Sequence, residues 1–167
     1  ERDAQGLILI AKSKNLILMV GHLLQDHPAT QHLKIMIHEG ELGGINDMDS
    51  HRLNLQKIPR EENILWSFAP RDVSMILSIA GEDPDHVMST GGSYLHQRIA
   101  DVTTTHLEFP SGLRAHIFVS WLHPYKEQKL VVVGDQTMAV FDDTQSWADK
   151  LHLYSHRIRW GNNLPVT

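Results

Sequence analysis

Twelve histidines in a chain of 167 residues that has no cysteine are the first side chains that could do chemistry. Without thiols there is no disulfide frame, no thiolate nucleophile and no cysteine-based zinc site, so chemistry falls to His, Asp, Glu, Lys, Arg or a cofactor. A metal-binding helix sets histidines at i and i+4, where two imidazoles share one face. His22, His27, His32 and His38 fall instead at intervals of five, five and six, and no Asp or Glu ligand pattern accompanies the others. The histidines therefore read as surface and half-buried side chains, and no metal is expected.

Three places hold polar residues that are hard to explain as surface. Gly21-His22 closes an apolar run, and the carboxyl end of a buried strand is where ligands bind in open α/β sheets; His22 is a ligand residue there or a plain loop histidine. Arg52, Asn54, Arg60, Glu61, Glu62 and Asn63 lead into Pro70-Arg71-Asp72. If a helix opens at Pro70, its unpaired N–H groups together with Arg71 attract an anion. Finally, Trp121-Leu122-His123-Pro124-Tyr125-Lys126 ends a strand in an aromatic, imidazole and ammonium cluster. No serine elbow, phosphate-cradling glycine loop or G-x-G-x-x-G is present, so no single motif decides the function.

The elements that must position these residues can be read from periodicity. Asp3 to Asn15 repeats Leu7, Ile8, Ile10 and Ala11 near the helical period, and Leu16 to Val20 is a continuous apolar run, the mark of a strand covered on both faces. Pro28 starts a helix carried by Ala29, Leu33, Met36 and Ile37 and stopped by Gly40. Ile45 to Leu55 has strand character, and Pro70 is expected to open a third helix with Val73, Ile76, Leu77 and Ala80 on its core face. Strands follow at Val87 to Leu95, Asp101 to Phe109, Leu113 to Leu122, Lys129 to Val133, Met138 to Phe141 and Lys150 to Tyr154, with turns at Pro110-Ser111-Gly112 and Gly134-Asp135. Short turns between successive strands predict an antiparallel meander. If the Ser111-Gly112 turn pairs Phe109 with Arg114, Val102 and His106 share a face with Ile117, Val119 and Trp121, and both faces are half apolar. The expected fold is α/β of the α+β type: a mainly antiparallel open sheet with helices on one face and another copy of the chain, in a dimer or tetramer, on the other.

Composition narrows the class. Fifteen basic against twenty acidic side chains give a net charge of -5, which argues against nucleic-acid binding through clustered Lys and Arg. No apolar run approaches a membrane span and no secretory signal opens the chain, so the expectation is a soluble cytoplasmic protein without a membrane partner. The chain opens on Glu1 with half of a parallel α/β unit, as though entered partway through.

In order, Leu18-Met19-Val20-Gly21-His22, His27-Pro28-Ala29, Gly40-Glu41-Leu42-Gly43, Ser67-Phe68-Ala69-Pro70-Arg71-Asp72, Phe109-Pro110-Ser111-Gly112, Ser120-Trp121-Leu122-His123-Pro124 and Gly134-Asp135 to Asp142 form a succession. It resembles the Gfo/Idh/MocA family of NAD(P)-dependent sugar oxidoreductases, and most closely its members acting on nucleotide-linked sugars or sugar acids. The resemblance covers nearly the whole chain. It implies a Rossmann half for the nicotinamide cofactor and a second half that binds a sugar or nucleotide-sugar and forms oligomers. Residues 1–22 then correspond to the last helix and strand of the Rossmann domain, and residues 23–167 to the substrate-binding and oligomerisation domain, ending short of its closing helices. The glycine-rich fingerprint and the family's lysine would lie upstream, so NAD or NADP belongs to the longer enzyme and none is expected on this chain alone. His22, Arg52, Asn54, His123 and Lys126 become candidate substrate-binding residues, and Arg71 and Asp72 occupy the family's catalytic position. Family members generally carry a histidine where this chain has Arg71. Oxidising a hydroxyl requires a group that accepts its proton; imidazole suits that, whereas a guanidinium, with a pKa above about 12, orients carboxylates or phosphates but is no base. A non-enzymatic sugar-binding or assembly module is the alternative reading.

Overall fold

The computed structural model describes residues 2–55, 62–95 and 97–156, together with the backbone of 159–161 and 164–166. Helix α1 (Arg2–Ser13) forms where the apolar repeat predicts it but buries none of its residues. The expected buried strand Leu16 to Val20 does not form: it joins no ladder among the described residues, and Ile17 is 97% exposed. A parallel strand is stable only beside a neighbour, and no described strand lends it an edge.

Helix α2 (Pro28–His38) starts as predicted, with proline in its first turn and His27 as cap, whose Nδ1 accepts the Ala29 N–H at 3.1 Å. It buries Thr30, Leu33 and Met36. Helix α3 (Ile64–Ala80) corrects the sequence expectation, because it begins six residues before Pro70. Its cap is Asn63, whose side chain accepts the Trp66 N–H at 3.0 Å, and Gly81 closes it in the left-handed conformation at φ 68°. Pro70 is tolerated inside because the carbonyl it leaves unpaired belongs to Trp66, on the exposed side of the helix where water can reach it.

The sheet has seven strands: β1 (Ile45–Leu53), β2 (His86–Gly92), β3 (Val102–Glu108), β4 (Arg114–Ser120), β5 (Glu127–Gly134), β6 (Thr137–Asp142) and β7 (Leu151–Ser155). Their spatial order is β2-β3-β4-β1-β5-β6-β7, and a separate two-stranded ladder joins β8 (Arg159–Gly161) to β9 (Leu164–Val166). The mainly antiparallel open sheet with helices on one face is therefore present, but it is not an uninterrupted meander. β1 lies between β4 and β5, parallel to the first and antiparallel to the second.

The register of the β3–β4 hairpin also differs from expectation by one residue. Phe109 pairs with Leu113 through a 3.1 Å N–H···O bond, Glu108 faces Arg114 and His106 faces His116. Gly112 at φ 94° makes this three-residue connection possible. The slip returns Thr105 and Leu107 to the helix side with Ile117 and Val119, and sends His106 to the open side with His116 and Phe118. On the helix side Met48, Leu107, Ala115, Ile117, Val119, Leu130, Val132 and Phe141 pack with Leu33, Met36, Ile64, Phe68, Met75 and Ile76 into one core.

Two details hold the far hairpin. Asp142, at the end of β6, takes the Thr144 N–H at 2.9 Å and the Thr144 hydroxyl at 2.5 Å on one oxygen, and the Gln145 amide on the other. Burial works to raise its carboxyl pKa, but these bonds and the Lys129 ammonium outweigh it and hold the group below the usual carboxylate range. Gly134 lies directly under the α2–β1 connection, where a Cβ would stand 1.9 Å from the Leu42 carbonyl oxygen. Backbone cannot yield as a flexible side chain does, so Gly134→Ala should lower the unfolding free energy in urea by at least about 2 kcal/mol. Unchanged stability would mean that the turn does not approach β5 this closely.

Candidate functional site

The residues singled out in the sequence divide into three groups in space. Arg52, near the end of β1, and Asp72, in the middle of α3, meet each other: Nε donates to Oδ2 at 2.8 Å and Nη2 to Oδ1 at 2.9 Å. Both are buried, with 4% and 2% of their surfaces exposed. Each carboxylate oxygen thus takes one arm of the guanidinium fork, a strong charge-assisted geometry. Asp72 is thereby engaged as a tie between helix and strand and does not stand in the first turn of a helix.

Asn54, His123 and Lys126 lie just beyond the same end of the neighbouring strands β1, β4 and β5, where Leu53 is in register with Ser120 on one side and Glu127 on the other. The Asn54 N–H donates to the Ser120 carbonyl at 3.1 Å and the Leu55 N–H to the His123 carbonyl at 2.6 Å, so the chains leaving parallel strands β1 and β4 remain side by side. His123 is half-buried with its ring edge-on to Phe118, the centroids 5.7 Å apart, and Lys126 is exposed just before β5. The start of α3 lies at the same end, where the Ile64 N–H donates to the Ala100 carbonyl at 3.0 Å. Arg60 and Glu61, part of the same sequence cluster, lie outside the described residues.

His22 and Arg71 stand apart from that end. His22 lines an apolar groove of 520 Å³ between α3 and β2, with Trp66, Pro70, Val73 and Leu77 among its neighbours. Arg71 is exposed, and its guanidinium has no hydrogen bond or ion pair among the described residues. The expectation that it shares a helix N-terminus able to collect anions fails, because that N-terminus is at Ile64 and Asn63 already caps it.

Asp101, which the sequence reading passed over, is fully buried beside β3, with one oxygen accepting the N–H groups of both Tyr94 and Leu95. This bond set ends β2 at Gly92, short of the strand expected to reach Leu95. The available signal was Gly91-Gly92-Ser93, a turn sequence inside an otherwise strand-like stretch.

Among the described residues no three His, Asp or Glu side chains are placed to hold a metal ion. His152 and His156 do have four-residue spacing, but β7 carries the first, so no helical face joins them. A dinucleotide requires a glycine-rich turn between a strand and a helix N-terminus. Here α2 starts at His27-Pro28 and α3 at Asn63-Ile64, so the described residues do not fit that group. No described helix is long and apolar enough to cross a membrane.

Residues 30–140, well over half of the chain, match the model of the GFO/IDH/MocA C-terminal domain. The UDP-N-acetylglucosamine 3-dehydrogenase of Acidithiobacillus ferrooxidans is 26% identical over 157 residues, covering 93% of this chain and 47% of that protein. Its solved structure superimposes with a TM-score of 0.77. An NAD binding oxidoreductase from Klebsiella pneumoniae gives a TM-score of 0.81 at 16% identity, over 93% of this chain and 47% of that one. The WlbA dehydrogenase from Bordetella pertussis, solved with NADH and UDP-GlcNAcA, gives 0.77 at 13% identity, over 92% and 50%. The chain spans about half the length of each.

The ion pair yields a prediction independent of function. Removing one partner strands a buried charge, so Arg52→Met or Asp72→Asn should each cost about 3–5 kcal/mol in urea unfolding, whereas Arg52→Met combined with Asp72→Leu should cost much less than the sum. Additive losses in the double variant would show that the two side chains act separately.

Proposed function

The chain belongs to the GFO/IDH/MocA family as its C-terminal domain, and on that footing we propose that it supplies the substrate-binding and assembly half of an NAD(P)-dependent enzyme that oxidises or reduces a sugar or nucleotide-sugar. The observation that carries this reading is the gathering of Asn54, His123 and Lys126 at the end of the sheet where β1, β4 and α3 meet. An amide, an imidazole and an ammonium suit the hydroxyls and phosphates of such a substrate. The likeness to a UDP-N-acetylglucosamine 3-dehydrogenase and to a dehydrogenase solved with NADH and UDP-GlcNAcA supports the nucleotide-linked class and NAD.

In this reading residues 1–22 close a Rossmann domain that carries the cofactor, and residues 23–167 form the substrate half. The bare apolar flank of α1 and the unpaired run Leu16 to Val20 are the surfaces such a domain would cover. Asp72 serves by fixing α3 on β1 through Arg52, which sets the height of the α3 N-terminus over the sheet end. Arg71, exposed on α3 apart from that end, is kept as the family's position for the acid–base group, where a guanidinium takes no proton. Its exposure and its lack of basicity are also what favours the second reading, a binding or assembly module without turnover.

The two readings separate in a chimera that joins this chain to the Rossmann half of the Acidithiobacillus ferrooxidans relative. Oxidation of UDP-N-acetylglucosamine should be slow, and Arg71→His should raise its rate by about 10²- to 10⁴-fold, the gain of a positioned acid–base group. Equal rates would remove Arg71 from the proton-transfer position, and no oxidation by either protein would favour the module.

The open sheet face suits a second copy of the chain as partner. Phe118, Val131, Val133, Met138 and Val140 lie there half-covered, interleaved with His51, held by Glu127 at 2.9 Å, and with His106 and His116, joined Nδ1 to Nδ1 at 2.7 Å. Acids and bases on a single face can pair with those of a second copy turned about a two-fold axis. Sedimentation at micromolar concentration should show a dimer or tetramer, dispersed by Val131→Lys; a monomer in the parent chain would sink this assembly.

A further inference from the structure

Asp101 is the least expected buried group at the site end of the sheet. Its surface is 0% exposed, its Oδ2 accepts the Tyr94 N–H at 2.5 Å and the Leu95 N–H at 2.7 Å, and its Oδ1 is buried without a hydrogen-bond partner among the described residues. Across the ladder the Trp121 N–H donates to the Asp101 carbonyl at 3.0 Å, while the indole Nε1 is also buried without a partner among the described residues. Burying a carboxylate is costly, and a turn alone could be closed by a cheaper residue such as Asn or Ser. What the charge secures is two successive N–H groups aimed at one oxygen, which takes the chain off the β2 ladder and fixes where Tyr94 stands.

Tyr94 is laid against Gly92. A Cβ on Gly92 would come within 2.5 Å of Cε2, 2.9 Å of Cζ and 3.0 Å of the hydroxyl oxygen, so this ring position requires glycine beneath it. Tyr94 nevertheless remains 72% exposed. It borders a groove of 200 Å³ whose lining includes Thr90, Gly91, Gly92, Thr103 and Thr104. An open aromatic face beside hydroxyl groups and a side-chain-free floor is the chemistry that receives a flat, hydrogen-bonding ring.

Position decides which part of a substrate that ring would be. Gly92 is in register with Val102, Val102 with Ser120 and Ser120 with Leu53, so Tyr94 and Asn54 leave the same edge of the sheet three strand spacings apart. At about 4.8 Å per spacing that is about 14 Å, on the order of the reach of a diphosphate link between a base and a sugar. The connection from β2 to β3 carries the exposed Arg98, a cation suited to that link.

We propose that Tyr94 stacks the nucleobase of a nucleotide-sugar whose sugar lies at Asn54 and His123, and that Asp101 is a positioning residue acting through Tyr94. This rests on the nucleotide-sugar reading of the same sheet end. The test titrates the isotope-labelled chain with uridine, UDP and N-acetylglucosamine and follows amide resonances. Uridine and UDP should shift Tyr94 and Leu95, and N-acetylglucosamine alone should not. Tyr94→Ala should weaken UDP binding by about 5- to 150-fold, as loss of a base–aromatic stack does, while Tyr94→Phe keeps it. Asp101→Leu should lose as much, and adding Tyr94→Ala to it should lose no more, since both act on one ring; Asp101→Asn, which keeps an acceptor without the charge and serves if the leucine variant does not fold, should recover only part of the affinity. UDP binding untouched by Tyr94→Ala, or shifts confined to Asn54 and His123, overturns the stacking site and leaves the substrate class standing. No response to UDP or to UDP-N-acetylglucosamine anywhere in the chain overturns both.

Discussion

Arg52 lies on the strand that separates β4 from β5, and Asp72 lies on the helix that crosses above it; among the described residues their two-armed bond is the one charged contact inside the core between α3 and the sheet. A pair of this kind tolerates little displacement, since a shift of α3 by one turn would bury a guanidinium and a carboxylate apart. It therefore specifies which residues of α3 face the sheet. Ile64, Phe68, Met75 and Ile76 follow as apolar contacts on the same side, and Phe68 meets the buried Trp121 edge-on at 6.4 Å. Apolar packing alone would accept several rotations of a helix this hydrophobic.

The same tie explains why the site end of the sheet is firm. β1 is parallel to β4, so both strands leave the sheet at the same edge and their continuations, Asn54-Leu55 and Leu122-His123, run side by side. In an uninterrupted antiparallel sheet neighbouring strands leave at opposite edges, and these two segments would not meet. Inserting β1 between β4 and β5 is thus what creates a shared rim, and the ion pair is what keeps α3, capped by Asn63, seated over it. Beyond β3, the Asp101 carboxylate does for the Tyr94 turn what the Arg52 guanidinium does for the helix.

Period and turn chemistry made the local elements legible. The start of α2 was written in His27-Pro28, and strands β3 to β7 were recovered within a few residues from alternation and from Gly and Pro punctuation. The family, too, was readable from the order of its short motifs, none of which was decisive alone. Tertiary facts were less accessible. Pro70 resembles a helix start because proline favours the first turn, yet Asn63 offered a better cap upstream and the exposed side of α3 absorbed the proline. The hairpin register turned on whether Gly112 adopts a positive φ, which a composition of Pro, Ser and Gly leaves open. Arg52 and Asp72 were each visible as unusual polar residues, but their bond joins a strand to a helix twenty positions on, where no period connects them. Asp101 was invisible for a related reason: a strand-edge aspartate reads as solvated until its burial is known.

Apolar surface is distributed unevenly around this frame. The centre, where β4, β1 and β5 lie beneath α3 and α2, is closed; α1 buries nothing, β2 is exposed along nearly its whole length, and the groove between α3 and β2 is lined almost wholly by carbon. Such regions open at lower free energy than a packed centre, because few buried contacts are lost when they do. Tyr94 stands at the end of the weakly covered β2, whereas Asn54 and His123 stand on the closed centre. A loop at the soft margin of a sheet would ordinarily wander. The buried charge of Asp101 is placed where it anchors that loop to β3 and, through the Trp121 N–H, to β4, so the margin of the site inherits the rigidity of the core without being packed into it.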